Sequence, residues 1–352
     1  MPERPERDAL DALEDATGTL EDEVEALEEA QLLEEPKRHP LKFVLRIGIG
    51  LAVVGVLIAR TPDRGELLDA FGGAELVWVI AAGVALFVGI FASAERWNAY
   101  LDALEIKMPY PTVLRLYFVG TFFNSFLPSG IGGDAYKGVR IGKLQGRYTP
   151  AFASVFLDRF AGFVALAAIG LIGGVIELFA GEAQRVAAIA AVLSAGMAGA
   201  AAIVLFLGEK LLGRGRLVKH HGIGGKLRQA VRAIQAAARH RQAAARGYLF
   251  GLVFQALVLT YHVLLARALG FEGVSVGAMT GVVVVASLAT IIPLSPGGLG
   301  FRELAYVWAL GVFGIGHAEA LAYALLVLAI LLATSAVGLL VYIVRGGEIR
   351  AR

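Results

Sequence analysis

The chain is predicted to be an all-α polytopic membrane protein, and three observations carry that prediction. It is 57% hydrophobic, only 18% charged and has a mean hydropathy of +0.68, more apolar surface than a soluble domain can cover. Six apolar runs reach about 20 residues each, the length of a membrane span. The Lys and Arg between those runs are crowded into some connections and nearly absent from others, as when loops are sorted to two sides of a bilayer.

The first 35 residues stand apart. They hold fourteen Asp and Glu against two Arg, with Leu10, Leu13, Leu20, Val24 and Leu27 forming a helical stripe of heptad character. This predicts an acidic cytoplasmic helix or tail, with docking to a protein partner as the sharper alternative. Its charge has the wrong sign for an anionic leaflet. An acidic, polar start is not a signal peptide, so no cleaved leader is expected. There is no cysteine, hence no disulfide or thiolate chemistry, and the six histidines lack metal-ligand spacing.

The six expected spans are 42–60, 76–94, 160–181, 186–207, 248–269 and 318–344. Lys37, Arg38 and Lys42 place the N-terminus inside, and Arg345, Arg350 and Arg352 place the C-terminus there too. Loop 208–246 carries ten Lys and Arg against the single acid Glu209, which makes it cytoplasmic. Asp63, Glu66, Asp69 and Glu75 against Arg64 suit the outside. Two further apolar runs, 113–127 and 278–292, are about 15 residues long, too short for a comfortable crossing. Read as crossings, they would put Lys137, Arg140, Lys143, Arg147 and the basic loop outside. Read as re-entrant helical hairpins, they leave every loop on its expected side. The chain then becomes two inverted repeats, about 40–181 and 186–344, with a transmembrane domain over 36–345 and a cytoplasmic tail at 346–352. Such repeats place substrate at their interface near the midplane.

Both short runs end in Gly/Pro motifs, "LPSGIGG" (127–133) and "LSPGGLG" (294–300). Pro128 and Pro293 stop the incoming helices. Gly130, Gly132 and Gly133, and Gly297, Gly298 and Gly300, permit turns that uncover backbone N–H groups, and Asp134 is placed to cap the outgoing helix. Amides at a helix start suit anions, phosphate above all. Ionisable residues lie beside both turns: Tyr136, Lys137 and Arg140 after the first, Arg302 and Glu303 after the second. Asp158 and Arg159 lie ahead of a span, and Arg96 ends another. At membrane depth such residues are costly and mark function. Neighbouring helical residues diverge by about 100°, so Asp158 with Arg159, and Arg302 with Glu303, are expected to seek partners on other segments. For Arg96 the plain alternative is snorkelling beside Trp97; for Arg302 it is a buried structural ion pair.

The blocks "FFNSFLPSGIGGDAYKGVRIGKL", "SVFLDRFAGFVAL", "RW" at 96–97 and "PLSPGGLGFRE" together resemble the lysylphosphatidylglycerol synthase transmembrane, or flippase-like, family over about residues 40–345. Members fused to an aminoacyltransferase domain make aminoacylated phosphatidylglycerol and move it between leaflets. The resemblance therefore implies translocation of an anionic or zwitterionic lipid headgroup. Arg96, Lys137, Arg140, Arg159 and Arg302 are the expected phosphate holders, with Tyr136 beside them and Asp158 and Glu303 as orienting acids. A small-anion or ion-coupled transporter is the alternative. A prenyl-diphosphate or lipid phosphatase fits less well, since Gly or Leu stands where its serine should be and Ile131 where a histidine should be. Outside loops are too short for a glycosyltransferase site.

No metal, cofactor or catalytic nucleophile is expected. The expected partners are membrane phospholipids, with the anionic inner leaflet met by "KLRQAVRAIQAAARHRQAAAR" in loop 208–246 lying as an interfacial helix. The positive-inside bias already accounts for its charge, so nucleic acid is not expected. Tyr261–His262 inside a span suggests proton coupling or, more plainly, a histidine hydrogen-bonded to a neighbour. The location is the cytoplasmic membrane.

Overall fold

The computed structural model describes residues 40–61, 64–126, 132–180, 184–214, 231, 235, 240–271, 273–290 and 295–344. Expectations for the acidic segment, Pro128, Gly130, Pro293, most of the basic loop and the C-terminal tail lie outside them. The chain divides into two units, Met1–Leu45 and Arg46–Arg352, and the second contains the helical bundle with every candidate site residue.

Eleven α-helices are described: α1 Pro40–Ala59, α2 Arg64–Gly72, α3 Leu76–Ala103, α4 Tyr110–Phe126, α5 Gly132–Gln145, α6 Tyr148–Ala180, α7 Gln184–Arg214, α8 Arg241–Ala268, α9 Val276–Ala289, α10 Phe301–Gly311 and α11 His317–Val344. A 3₁₀ turn, Pro296–Gly298, precedes α10. Among the described residues no strand occurs. The architecture is all-α, as the apolar runs require.

Five helices are long and apolar enough to cross a membrane: α3, α6, α7, α8 and α11. The sixth expected span, 42–60, corresponds to the 20-residue α1, whose described apolar part, Ile47–Ala59, is shorter. Some expected spans are also too short. Helix α3 continues past 94 to Ala103 and α6 begins at Tyr148, so Arg96, Asp158 and Arg159 lie within long helices and not at their ends. Charge interrupts a hydropathy window, yet a helix continues wherever its polar side chains find partners inside the protein. The connection expected outside also contains α2, which the charge count does not distinguish from loop.

The short runs are short helices. Helix α4 has 17 residues, α5 and α9 have 14 each, and α10 has 11. At 1.5 Å per residue each falls below the roughly 30 Å of a bilayer's hydrocarbon. From α1 to α6 the lengths run long, long, short, short, long, apart from the small α2, and from α7 to α11 the order recurs. Packing follows that order. Helix α4 packs on α5 as α9 does on α10, α5 on α6 as α10 on α11, and α4 on α11 as α9 on α6, while α3 and α8 share the most extensive contact.

Small residues let these helices approach closely. A Cβ on Gly133 would lie 1.8 Å from the Gly120 carbonyl oxygen, and one on Gly338 would lie 2.1 Å from that of Phe118. The first contact closes α4 on α5; the second seats α11 on α4. The core is built from alanines with aromatic rings between them, the largest cluster running from Ala82 on α3 through Tyr261, Met279 and Tyr306 to Tyr323.

Candidate functional site: an ionic cluster between four helices

Helix α5 has two useful faces. Asp134 and Lys137, three residues apart, point one way, while Tyr136 and Arg140, four apart, point another. The first face meets α3, α4 and α6. Asp158 accepts a hydrogen bond from Arg96 Nε at 2.7 Å and one from the Tyr117 hydroxyl at 3.3 Å, and lies 3.4 Å from Lys137 Nζ. Lys137 is also 3.3 Å from Asp134 Oδ1, and Arg159 Nε donates to Asp134 Oδ2 at 2.6 Å. Arg96, Lys137, Asp134 and Asp158 are all buried, whereas the Arg159 side chain is 45% exposed. Lys137 Nζ sits 4.3 Å from the centre of the Tyr117 ring and 4.9 Å from that of Trp97, close enough for both rings to stabilise it. Trp97 is held in turn by donating to Ser154 Oγ at 3.0 Å.

Five expected site residues are thus brought together from three helices, and Asp158 and Arg159 do find their partners elsewhere in the chain. Arg96 is not snorkelling: it is 4% exposed and paired with Asp158. One of its donors, Nη1, has no hydrogen-bond partner, and a Cβ on Gly162 would come within 3.2 Å of it. Among the described residues, the cluster brings together three cations, Arg96, Lys137 and Arg159, and two carboxylates, Asp134 and Asp158. Removing ions from water costs several kcal/mol each, and a fold retains such a cluster only where other ions and hydrogen bonds offset that cost.

Tyr136 and Arg140 are not part of the cluster. Tyr136 packs on Phe123 and Tyr342, with ring centres 5.0 and 6.3 Å apart, and Arg140 lies beside it. Asp134 lies in the first turn of α5, and its carboxylate meets Arg159 and Lys137. The residues just ahead of that helix, 127–131, lie outside the described ones. Gly132 and Gly133 open α5, and Gly133 N donates to Asn124 Oδ1 at 2.8 Å.

The second motif differs. Arg302 and Glu303 pair with each other, contrary to expectation: Arg302 Nε and Nη2 lie 3.1 and 2.6 Å from Glu303 Oε1. The reason is local. Glu303 is the helix-capping acid, its Oε2 accepting from Gly300 N at 2.5 Å, and this turns the carboxylate back over the helix start, within reach of Arg302. Gly297, Gly298 and Gly300 have φ of 57°, 77° and 83°, a region that suits glycine. Arg302 is therefore neutralised in place. Behind this pair, His262 is hydrogen-bonded through Nδ1 to the Tyr323 hydroxyl at 2.7 Å and through Nε2 to that of Tyr306 at 3.2 Å. That is the neighbour-bonded outcome.

Sequence reasoning missed Tyr117, Trp97 as a cluster member, Ser154 and Asn124. Tyr117 lies in the apolar run "LRLYFVG" and carried no signal of its own. Asn124, the amide in "FFNSF", carried one: an Asn among apolar residues needs a partner.

Fold and site together define a polytopic all-α membrane protein with an ionic cluster, largely buried, among its helices. Residues 43–338 match the family described as the lysylphosphatidylglycerol synthase TM region, and the chain belongs to that family. It is 25% identical to a UPF0104 membrane protein of Methanothermobacter thermautotrophicus over 283 residues, covering 75% of this chain and 82% of the relative. It is 28% identical over 122 residues to another UPF0104 membrane protein, from Pyrococcus horikoshii, covering 34% and 36%. It is 26% identical over 332 residues to the glycosyltransferase AglD of Haloferax volcanii, 83% of this chain but 52% of that relative.

Proposed function

We propose that the chain is a lipid translocase that carries an anionic or zwitterionic headgroup between leaflets, and that it is not an enzyme. The observation that supports this best is the cluster itself: Arg96 and Lys137 lie buried on Asp158, and the Arg159 side chain is accessible at one edge. An anionic phosphate meets Arg159 at that edge, beside Asp134, while Arg96 and Lys137 stay anchored on Asp158. Guanidinium suits this role because it can hold Asp134 and a phosphate oxygen at once through different N–H groups. Arg140 and Tyr136, on the neighbouring face, are proposed to guide the headgroup, and Arg302 with Glu303 to hold the opposite hairpin in shape.

In this reading α4–α5 re-enters from the cytoplasm and α9–α10 from outside, the two halves are inverted repeats, and both termini are cytoplasmic in the cell membrane. The lengths of the four short helices and the exchange of packing partners between the halves support that topology. The basic loop is proposed to rest on the anionic inner leaflet and the acidic N-terminal segment to meet a protein partner. The glycosyltransferase named among the relatives is about twice as long as the matched region, and that activity is not carried over.

The test is reconstitution in phospholipid vesicles with a fluorescent phospholipid and a membrane-impermeant quencher. Protein-dependent quenching of the inner-leaflet pool, reduced in Arg159→Ala, is the expected result. Uptake of inorganic phosphate without lipid movement would instead favour a small-anion transporter.

A further inference from the structure

The exchange of packing partners between the halves breaks at the seam between α3 and α11. Swapping halves maps the α3–α11 seam onto the α8–α6 seam, yet the two are packed differently. Helices α8 and α6 meet directly: a Cβ on Gly251 would lie 3.2 Å from that of Ala165, and Gln255 Nε2 donates to the Gly162 carbonyl at 3.2 Å. Helices α3 and α11 touch only sparsely and leave a groove of about 290 Å³. Gly83, Val84 and Phe87 form one wall, and Ile330, Ala333 and Val337 the other. The single hydroxyl in the lining, that of Thr334, is turned away to the Ile330 carbonyl at 2.8 Å, so the groove offers an occupant no hydrogen bond.

We propose that this groove holds one hydrocarbon chain of a membrane lipid. Both walls belong to helices long and apolar enough to span, so hydrocarbon is what surrounds the opening. The stretch from Ile80 to Phe87 rises about 10 Å, and the volume holds about ten methylenes at roughly the size of a water, about 30 Å³ each. A second helix, about 10 Å across, is too wide to sit in it. In a bilayer, packing rather than the hydrophobic effect decides which surfaces associate, and an unfilled seam loses dispersion contacts along both walls. The groove reaches the helix that carries Tyr117 of the ionic cluster: Phe87 packs on Phe118 of α4, with ring centres 5.5 Å apart. The inference rests on the translocase reading only for what the bound chain is used for, not for whether it binds.

Gly83 makes the groove testable, because it lines one wall and nothing lies within 4 Å of where its Cβ would be, so Gly83→Phe starts a large side chain from open space. The full chain is reconstituted with a phospholipid carrying a mid-chain diazirine, irradiated, and its adducts mapped by mass spectrometry. Adducts per residue on 80–87 and 330–337 should exceed those on the exposed face of α7, around Val192 and Phe206, by about threefold, and Gly83→Phe should remove that excess. Equal labelling of both surfaces, or labelling unchanged in Gly83→Phe, overturns the proposal. So does a crosslink joining this groove to a second copy of the chain. Labelling needs no transport, so a protein that labels but moves no lipid overturns the translocase reading and leaves the groove.

Discussion

Replacing Asp158 tests whether the ionic cluster holds the helices together. Its carboxylate takes Arg96 Nε at 2.7 Å, the Tyr117 hydroxyl at 3.3 Å and Lys137 Nζ at 3.4 Å, with 1% of the side chain exposed. Removing one partner of a buried ion pair costs about 3–5 kcal/mol, because the other charge is left without compensation. Lys137 keeps Asp134 at 3.3 Å, so the stranded cation is Arg96. In Asp158→Asn one acceptor remains for Arg96 Nε, and the loss should fall near the lower limit, about 3 kcal/mol; Asp158→Leu offers none and should approach about 5 kcal/mol. The double variant Arg96→Met/Asp158→Leu removes both charges and should recover most of the loss, since apolar replacement of a whole buried pair is often neutral. Denaturant unfolding of the reconstituted chain, followed by tryptophan fluorescence, orders the three variants. Asp158→Asn unfolding with wild type, or the double variant faring no better than Asp158→Leu, would refute the reasoning.

Gly133→Ala should lower stability by about 1–3 kcal/mol or more, because its Cβ meets the Gly120 carbonyl at 1.8 Å, while Gly83→Ala, with open space around it, should unfold as wild type does. Arg159→Lys keeps a charge for Asp134 but loses the fork; it should fold normally and translocate lipid about tenfold more slowly, and wild-type rates would remove Arg159 from the headgroup path. The chain has no cysteine, so single replacements label cleanly: Gln145→Cys should react with an impermeant reagent only from the cytoplasm and Asp69→Cys only from outside. Reaction of position 145 from outside would make α4 a full crossing and end the hairpin topology.

Hydropathy and loop charge were enough to find the helices, because those signals come from the solvent each residue must face. They were not enough to end them. The expected spans stop at 94 and start at 160 because Arg96 and Asp158 are each, in isolation, too costly for hydrocarbon, but they lie 62 positions apart in sequence and remove that cost from each other. The four short helices were legible for the opposite reason: length against bilayer thickness is a one-dimensional argument that needs no partner. Helix α2 carried neither signal, its nine residues being too few for periodicity to rise above the surrounding acids.

The site shows the same division. That Arg96, Lys137, Asp134, Asp158 and Arg159 matter could be read from the sequence, since ions in an apolar chain are conspicuous. Which cation an anion can reach could not, because that depends on burial in space. Five basic residues looked equivalent as phosphate holders. Arg96 and Lys137 lie buried on Asp158, Arg302 is closed onto Glu303 by the turn of its own helix, and Arg140 lies beside Tyr136 on another face. Arg159 alone among the three cations of the cluster is exposed. The Arg302 side chain is 11% exposed and closed onto Glu303, whereas that of Arg159 is 45% exposed beside Asp134, and an anion can meet a guanidinium only where it is exposed. Access to the cation, rather than the number of arginines near a glycine turn, therefore separates the two motifs.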